Sequence, residues 1–434
     1  MEMRYVGEIK DPIHGFVNFT TLEQKVIDTP ILQRLRRIKQ LAGAFYTYPG
    51  AEHTRFPHSL GVMHLAGLVG QVLFSQEAVE EIDLELIRLA GLLHDVGHGP
   101  FSHIFEDVLE RRGKTITHED LTERLIKESV ISDILSKEGF DPSVVANISI
   151  GRPRNKKERF LSQILTGSFN VDIMDYMKRD SYYTGVEYGS IDIERLVSNL
   201  RVYENIIAMD KAALYSLESF YIARYMLFKA VYFHRTVRSA AVMIAKALSL
   251  ADEYLHFTSF KEIDDFLMLD DRSITEMILR SEIDHQDFKF AQKLLRLLDD
   301  RILMKCVFET FLHHDHPFYS KLILKPKFIE SVVESIAEYA DIDPLLIAVD
   351  VSSVPSMPYK PASSKEGKAL PVLVSSLDGK KELRSLFNLS PMCSSLRGFV
   401  DIARVYALPE VKDRVAQAAK RFFGEAPTSL KVSY

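Results

Sequence analysis

His94-Asp95-Val96-Gly97-His98-Gly99-Pro100-Phe101-Ser102-His103 is the stretch that decides how the chain is read. An adjacent His-Asp pair at the C-terminal end of a helix lets a nitrogen and an oxygen ligand of different reach converge on one ion. Gly97 and Gly99 let the backbone turn tightly past it. Of the fourteen histidines in the chain, His53, His58, His64, His94, His98, His103 and His118 all fall between residues 53 and 118, where uniform spacing would put about two.

Working outward from the pair, a third ligand is expected from His58, at the start of the preceding helix. A fourth is expected from Asp172 in Asn170-Val171-Asp172-Ile173-Met174-Asp175-Tyr176-Met177-Lys178-Arg179-Asp180. Each step of four residues overshoots a helical turn by only about 40°, so Asp172, Tyr176 and Asp180 share roughly one face and can meet metal and substrate together. Asp175 is the rival ligand and reads as an exposed capping or salt-bridging residue. Each of His58, His94, Asp95 and Asp172 alone has an ordinary reading as a satisfied polar group, but together they favour a metal. Two histidines and two carboxylates suit iron, manganese, zinc or nickel. His64, on an apolar helix, reads as core, and His53 as a loop residue.

The chain around this site reads as mainly α. A strand-turn pattern covers residues 9–20. Thr29-Pro30 opens a helix that Ile31, Leu35, Ile38 and Leu41 carry to Gly43. Further helices are expected over 58–74 and over 84–96, the second ended by Gly97. Residues 321–324, 345–349 and 371–374 read as short strands around a helix over 328–339, forming a small mixed α/β subdomain, with 354–370 as a surface loop. Helices over 396–406 and 411–423 close the chain. The expected division is 1–250 for the site-bearing unit and 251–434 for a region of packing and subunit contact.

With 434 residues, 47% hydrophobic and 26% charged, the composition is that of a soluble globular protein with more than one ordinary core. A net charge of −6 argues against general affinity for nucleic acid backbones. The two cysteines, Cys306 and Cys393, provide neither a disulfide framework nor a metal knuckle, which fits a reducing cytoplasm. No apolar run approaches the roughly 18 residues that a membrane span needs.

Several strings together resemble one family. They are Asp-Pro-Ile-His-Gly (11–15), Asp28-Thr29-Pro30, Gln33-Arg34-Leu35-Arg36, Ile38-Lys39-Gln40-Leu41, Arg55-Phe56-Pro57-His58-Ser59-Leu60-Gly61-Val62, the His94 to His103 stretch, Thr117-His118-Glu119, and Asp172 to Asp180. The chain is similar to bacterial and archaeal relatives of the SAM- and HD-domain-containing deoxynucleoside triphosphate triphosphohydrolase, from about Asp11 to about Leu248. The resemblance implies an HD-domain helical core and a metal on His58, His94, Asp95 and Asp172. It implies catalytic histidines at His103 and His118, with His98 beside the phosphates. Their carboxylate partner falls on Glu106, where relatives carry Asp. Substrate contacts carry over to Gln40 and Leu41 at the sugar, Arg55 and the neighbourhood of Lys178 at the phosphates, Tyr176 and Asp180 at the 3′-hydroxyl, and Arg224 and Tyr232 on a later helix. Leu41 and Tyr232 would exclude a ribose 2′-hydroxyl.

The activity implied is hydrolysis of a deoxynucleoside triphosphate to deoxynucleoside and triphosphate. Solvent activated at the metal attacks the α-phosphorus, a histidine such as His103 protonates the leaving oxygen, and Mg accompanies the nucleotide phosphates. A regulatory nucleotide is implied at Asp28, Gln33 and Arg36, with Arg195 and Arg235 as phosphate partners, in a homo-oligomer such as a dimer or tetramer. The pattern departs from the family at Gly7, Lys10 and Phe16. Arg34, Arg36 and Arg37 have the alternative of a solvated helix face. The sequence begins about ten residues before the first matching string, so no SAM module is expected ahead of it. Two other readings compete: an HD phosphohydrolase of another nucleotide or phosphoester, and a nucleic-acid-binding protein using Arg152, Arg154, Lys156, Lys157 and Arg159.

Overall fold

A computed structural model describes residues 3–167, 169–314, 326–355, 370–375, 378–395 and 399–424. The chain opens with an antiparallel hairpin, Gly7–Asp11 against Gly15–Phe19. Asp11 Oδ1 accepts the backbone N–H groups of Ile13 and His14, each at 2.9 Å, and Gly15 supplies the left-handed φ of +77° that turns the chain back. That turn aims His14 inward.

Thr29 and Pro30 start a helix as expected, with the Thr29 hydroxyl accepting from the Leu32 N–H. It ends sooner than Gly43. Pro30–Arg34 passes into a 3-10 turn, Leu35–Arg37, and Ile38 is already extended at φ −118°, ψ 113°. Tertiary hydrogen bonds claim the following backbone: Lys39 N–H goes to Asp271, Gln40 N–H to the His53 carbonyl, and Arg55 N–H to the Ile38 carbonyl. Arg34 is not on a solvated face but buried, donating to the carbonyls of His98 and Leu269, while Arg36 and Arg37 are exposed.

The helices Arg55–Phe74 and Glu81–Leu93 pack against each other and form the floor of the site. The second stops at Leu93 rather than continuing to Val96, so His94 and Asp95 stand just beyond its last turn. Helices His103–Arg111 and His118–Glu128 follow, and Val171–Thr184 lies across Arg55–Phe74.

The remaining chain departs further from expectation. Leu200–Tyr203 and Ile206–Asp210 form a hairpin within a stretch that reads as helix. Ile206–Asp210 pairs in parallel with Pro371–Ser375, so one four-stranded sheet crosses residue 250. The helix expected over 396–406 is instead, over Phe399–Ala407, the central strand of a three-stranded antiparallel sheet between Lys305–His314 and Ile347–Pro355. Residues 402–408 are buried without interruption, and a strand covered on both faces lacks the alternation that would separate it from a buried helix. The strand expected at 345–349 begins at Ile347 after a 3-10 turn, while the strand at 371–374 and the helices at 328–339 and 411–423 are present. The strand expected at 321–324, and most of the loop at 354–370, lie outside the described residues.

One hydrophobic core runs from Val17 to Leu408. A second, built around Phe308, Ile336, Ile347, Val405 and Val415, joins the three-stranded sheet to helices Pro326–Ala340 and Lys412–Phe423. Among the described residues, no helix is long and apolar enough to cross a membrane.

Candidate active site

His58 lies in the first turn of Arg55–Phe74 and is buried. Its Nδ1 donates to Asp175 Oδ2 at 2.7 Å, which leaves Nε2 3.1 Å from Asp172 Oδ1 and 3.7 Å from Asp95 Oδ2. His94 is fixed the same way: Nδ1 donates to the Gly91 carbonyl at 2.7 Å, and Nε2 faces Asp95 Oδ1 at 3.3 Å and Asp172 Oδ1 at 3.8 Å. The four expected ligands therefore converge. The nitrogen facing the centre is the unprotonated one in each neutral ring, because the other nitrogen carries the proton.

These donors fit a divalent ion. His94 Nε2 is buried with no hydrogen-bond partner, although buried polar atoms are nearly always satisfied. Burial works against a charged His58, yet Asp172 and Asp175 override it and raise its pKa to about 10, so the surroundings are built for positive charge. Burial also opposes the Asp95 carboxylate, but Arg55, His94 and His98 hold it well below the ordinary range. Arg55 is committed here as well: its guanidinium bonds Asp95 and, at 2.8 Å, the Ser102 hydroxyl.

A second cluster abuts the first through Asp95 Oδ1, which is 3.3 Å from His98 Nε2. The His98 ring stacks on His118 with centroids 4.0 Å apart, and His103 meets both edge-on. Glu106 accepts from Nδ1 of His103 at 3.0 Å with one oxygen, and from Nδ1 and the backbone N–H of His118 with the other. Burial favours a neutral His118, but Glu106 outweighs it and raises the pKa. Burial, Arg55 and His118 together push His98 well below the ordinary value. The histidines are thus differentiated, one inclined to hold a proton and one to remain neutral.

Asp180 lies about two turns beyond Asp172 on the helix Val171–Thr184, on the face shared with Asp172 and Tyr176. It accepts from the Tyr232 hydroxyl at 2.6 Å and from His53 Nε2 at 2.8 Å. Tyr176 and Tyr232 pack edge to face at 6.3 Å, and burial lifts Tyr176 to about 12. Leu41 is half-buried against the main core. Gln40 Oε1, His98 Nδ1 and Arg224 Nη1 are, like His94 Nε2, buried without a partner. Of the regulatory set, Asp28 and Arg36 are exposed, and Gln33 joins the Ile27 carbonyl to Arg36. Arg195 donates to the Ala212 carbonyl and Arg235 lies 4.0 Å from Glu309.

Other residues escaped the sequence reading. Asp175 is not exposed: it is fully buried and binds His58, His14 at 2.6 Å and Arg179, which also holds Asp11 at 2.8 Å. His53 is in a loop but buried, stacked on Tyr183 and bonded to Asp180. The clustering of His53 with the other histidines was its available signal, and the Asp-Pro-Ile-His-Gly string was that of His14. His64 is half-buried beside His14, and burial lowers its pKa to about 4. In the basic stretch, Arg152 pairs with Asp120 and Lys157 with Asp83.

A helical core that brings ligand atoms of His58, His94 and Asp95 within 4.8 Å of one another, with Asp172 against both histidines and further histidines at its edge, defines an HD phosphohydrolase. Residues 55–179 match the HD domain and residues 191–432 the HD associated region, and the chain belongs to this family of metal-dependent phosphohydrolases. It is 32% identical over 411 residues to the uncharacterized protein YwfO of Bacillus subtilis, covering 90% of this chain and 89% of that one. It is also 32% identical over 350 residues to the human deoxynucleoside triphosphate triphosphohydrolase SAMHD1, covering 70% of this chain and 55% of the human protein. The corresponding homolog in Dictyostelium discoideum is 32% identical, with 71% and 61% covered. A hypothetical protein from Aquifex aeolicus, of known crystal structure, matches with a TM-score of 0.74 at 33% identity, over 95% of this chain and 100% of that one.

Proposed function

We propose that the chain hydrolyses deoxynucleoside triphosphates to deoxynucleoside and triphosphate. The observation that carries this reading is that three groups adjoin one another, two of them on the Val171–Thr184 helix. Asp172 belongs to the ligand cluster, the His98–His118–Glu106–His103 cluster adjoins it through Asp95, and Asp180 with Tyr232 lies further along the same helix face. A phosphoryl group at the first would have protonable histidines on one side and a hydroxyl-binding carboxylate on the other. The human and Dictyostelium relatives, both named as deoxynucleoside triphosphate triphosphohydrolases, support this assignment.

His58, His94, Asp95 and Asp172 would hold the metal ion, which would supply positive charge and make a water molecule more acidic. Arg55 keeps Asp95 ionised and oriented. Glu106 holds His103 and His118 at Nδ1, leaving each Nε2 for proton transfer. As the water oxygen bonds the α-phosphorus and the bond to O5′ breaks, His103 gives its proton to O5′ and the proton lost by the water passes to solvent. Asp180, set by Tyr232 and His53, accepts from the 3′-hydroxyl, while Gln40, Leu41, Tyr176 and Arg224 bound the sugar and its phosphates. Mg accompanies the triphosphate. Activation by a second nucleotide at Asp28, Gln33, Arg36, Arg195 and Arg235, and assembly into a homo-oligomer, belong to the same reading.

The test is a panel of deoxynucleotides, ribonucleotides and cyclic nucleotides with resolved products, with and without GTP or dGTP. Release of intact triphosphate and deoxynucleoside supports the proposal. Orthophosphate, or a linearised cyclic nucleotide, in place of triphosphate would assign the site to another phosphoester.

A further inference from the structure

The two histidine clusters are borne on residues 55–179, yet the loop between them is fastened from outside that span. Phe101 and Ser102 both adopt positive φ, 56° and 58°, a region that bulky side chains avoid and that persists only where the surroundings enforce it. His103 follows directly. The enforcing contacts come from residues 269–271, in the HD associated region. Asp271 Oδ1 accepts the Phe101 N–H at 2.6 Å and Oδ2 accepts the Lys39 N–H at 2.9 Å. Arg34 spans the Leu269 carbonyl at 2.9 Å and the His98 carbonyl at 2.8 Å, and Arg37 pairs with Asp270. The loop is therefore gripped on both sides of Gly99-Pro100.

We propose that Asp271 is a positioning residue for the hydrolysis proposed above, clamping the loop that presents His98 and His103 to the extended segment that presents Gln40. A carboxylate suits this post because each of its oxygens accepts, so one side chain holds two backbone amides from separate segments. Asn cannot do the same, since its amide nitrogen turns a donor toward one of those N–H groups. The clamp gives Asp271, in the HD associated region, a part in the site through two backbone amides rather than through contact with substrate. It rests on the reading of the site as a deoxynucleotide hydrolase only in naming the reaction.

The experiment compares the full-length wild type with Asp271→Asn. Displacements near 1 Å cost about 100-fold in rate, so kcat for a deoxynucleoside triphosphate should fall by about that factor while KM stays within about threefold. Metal content should not change. Amide hydrogen exchange at Phe101 and Lys39 should accelerate, while Arg55–Phe74 and Glu81–Leu93 exchange as before. Unchanged exchange at both amides, or kcat within about twofold of wild type, overturns the clamp. Arg37→Ala, at an exposed side chain, loosens the same segment through Asp270 and should give a smaller change in both readouts. Should Asp271→Asn not fold, Arg37→Ala decides by exchange alone: unchanged exchange at Phe101 and Lys39 overturns the clamp. Wild type that releases triphosphate from no nucleotide defeats the functional reading, whereas the exchange comparison still decides the clamp.

Discussion

Glu106 holds His103 and His118 by separate carboxylate oxygens, and the bond to His103 is 3.0 Å. One side chain thereby fixes the tautomer and direction of two imidazoles on two helices. Burial disfavours its charge, but His103 and His118 keep its carboxyl far below the ordinary range. Glu106→Gln retains the shape and removes the charge, so kcat should fall by roughly 100-fold to 10,000-fold, the span of general acid-base contributions. Glu106→Asp should recover part of the loss, because the carboxylate is kept and only its reach shortens. Steady-state kinetics with metal content held equal decides this, and a Gln variant as active as wild type would remove Glu106 from the mechanism.

Asp175 backs the proposed metal site from one layer behind. It receives the Nδ1 proton of His58, which turns Nε2 toward the centre. Partners of this kind typically account for about 10–100-fold in metal affinity, so Asp175→Asn should weaken binding by that factor. Competition against a calibrated chelator measures it. His94→Ala, which deletes a ligand, should lose more metal than Asp175→Asn, and the reverse order would contradict the assignment.

The legible parts of the site were those written locally. His94 and Asp95 adjoin in sequence, and Asp172, Tyr176 and Asp180 follow helical spacing, so one string and one period located them. Asp175 obeys the same period yet was assigned to solvent, because nothing local shows that His14 and Arg179 bury it. The helix after Pro30 was extended too far for a related reason: Ile31, Leu35, Ile38 and Leu41 keep a helical rhythm, but Lys39 and Gln40 give their amides to Asp271 and His53. Asp271 is distant in sequence from everything it holds and carries no motif. At residues 402–408, burial on both faces erased the pattern that distinguishes strand from helix.

Gly61 is a packing requirement that the family string contains without explaining. A Cβ there would lie 1.8 Å from Asp175 Oδ1 and 2.6 Å from Arg179 Nη2. Neither group can retreat, because Asp175 and Arg179 are both fully buried. Gly61→Ala should therefore destabilise the protein by about 1–3 kcal/mol or more, as overpacked cores do. It should also impair metal binding, since the displaced carboxylate releases His58. Denaturant unfolding and metal analysis together check the coupling; a variant with normal stability and full metal content would show that the network tolerates displacement.

Tyr232 donates to Asp180 Oδ2 at 2.6 Å, so under the proposed function Asp180 would meet a substrate hydroxyl already oriented. Removing a hydrogen bond to a charged group costs about 1.5–3 kcal/mol, and Tyr232→Phe should raise KM for a deoxynucleoside triphosphate by roughly 10-fold or more. Measuring KM for a 2′,3′-dideoxy substrate alongside separates the roles. Without a 3′-hydroxyl to place, that substrate should show a smaller difference between wild type and variant. Equal differences for the two substrates would mean that Tyr232 acts on packing alone.

Lys246 joins the helix Arg235–Leu255 to the C-terminal sheet by donating to the carbonyls of Pro344 at 3.1 Å and Ile347 at 2.7 Å. Burial lowers its pKa from 10.5 to about 7, against the opposing charge of Asp343. Below pH 7 the ammonium exists in both folded and unfolded chains, and the folded chain bears the full cost of burying it. Between pH 7 and 10.5 the folded chain is neutral there and the unfolded chain protonated, so the folded state gains about 1.4 kcal/mol per pH unit from this group. Lys246→Met abolishes that dependence and removes the two hydrogen bonds. The unfolding free energy of wild type minus that of the variant should therefore rise from pH 6.5 to pH 9. Urea titrations of both proteins at the two pH values measure it, and a difference that stays constant means that Lys246 remains charged in the folded protein.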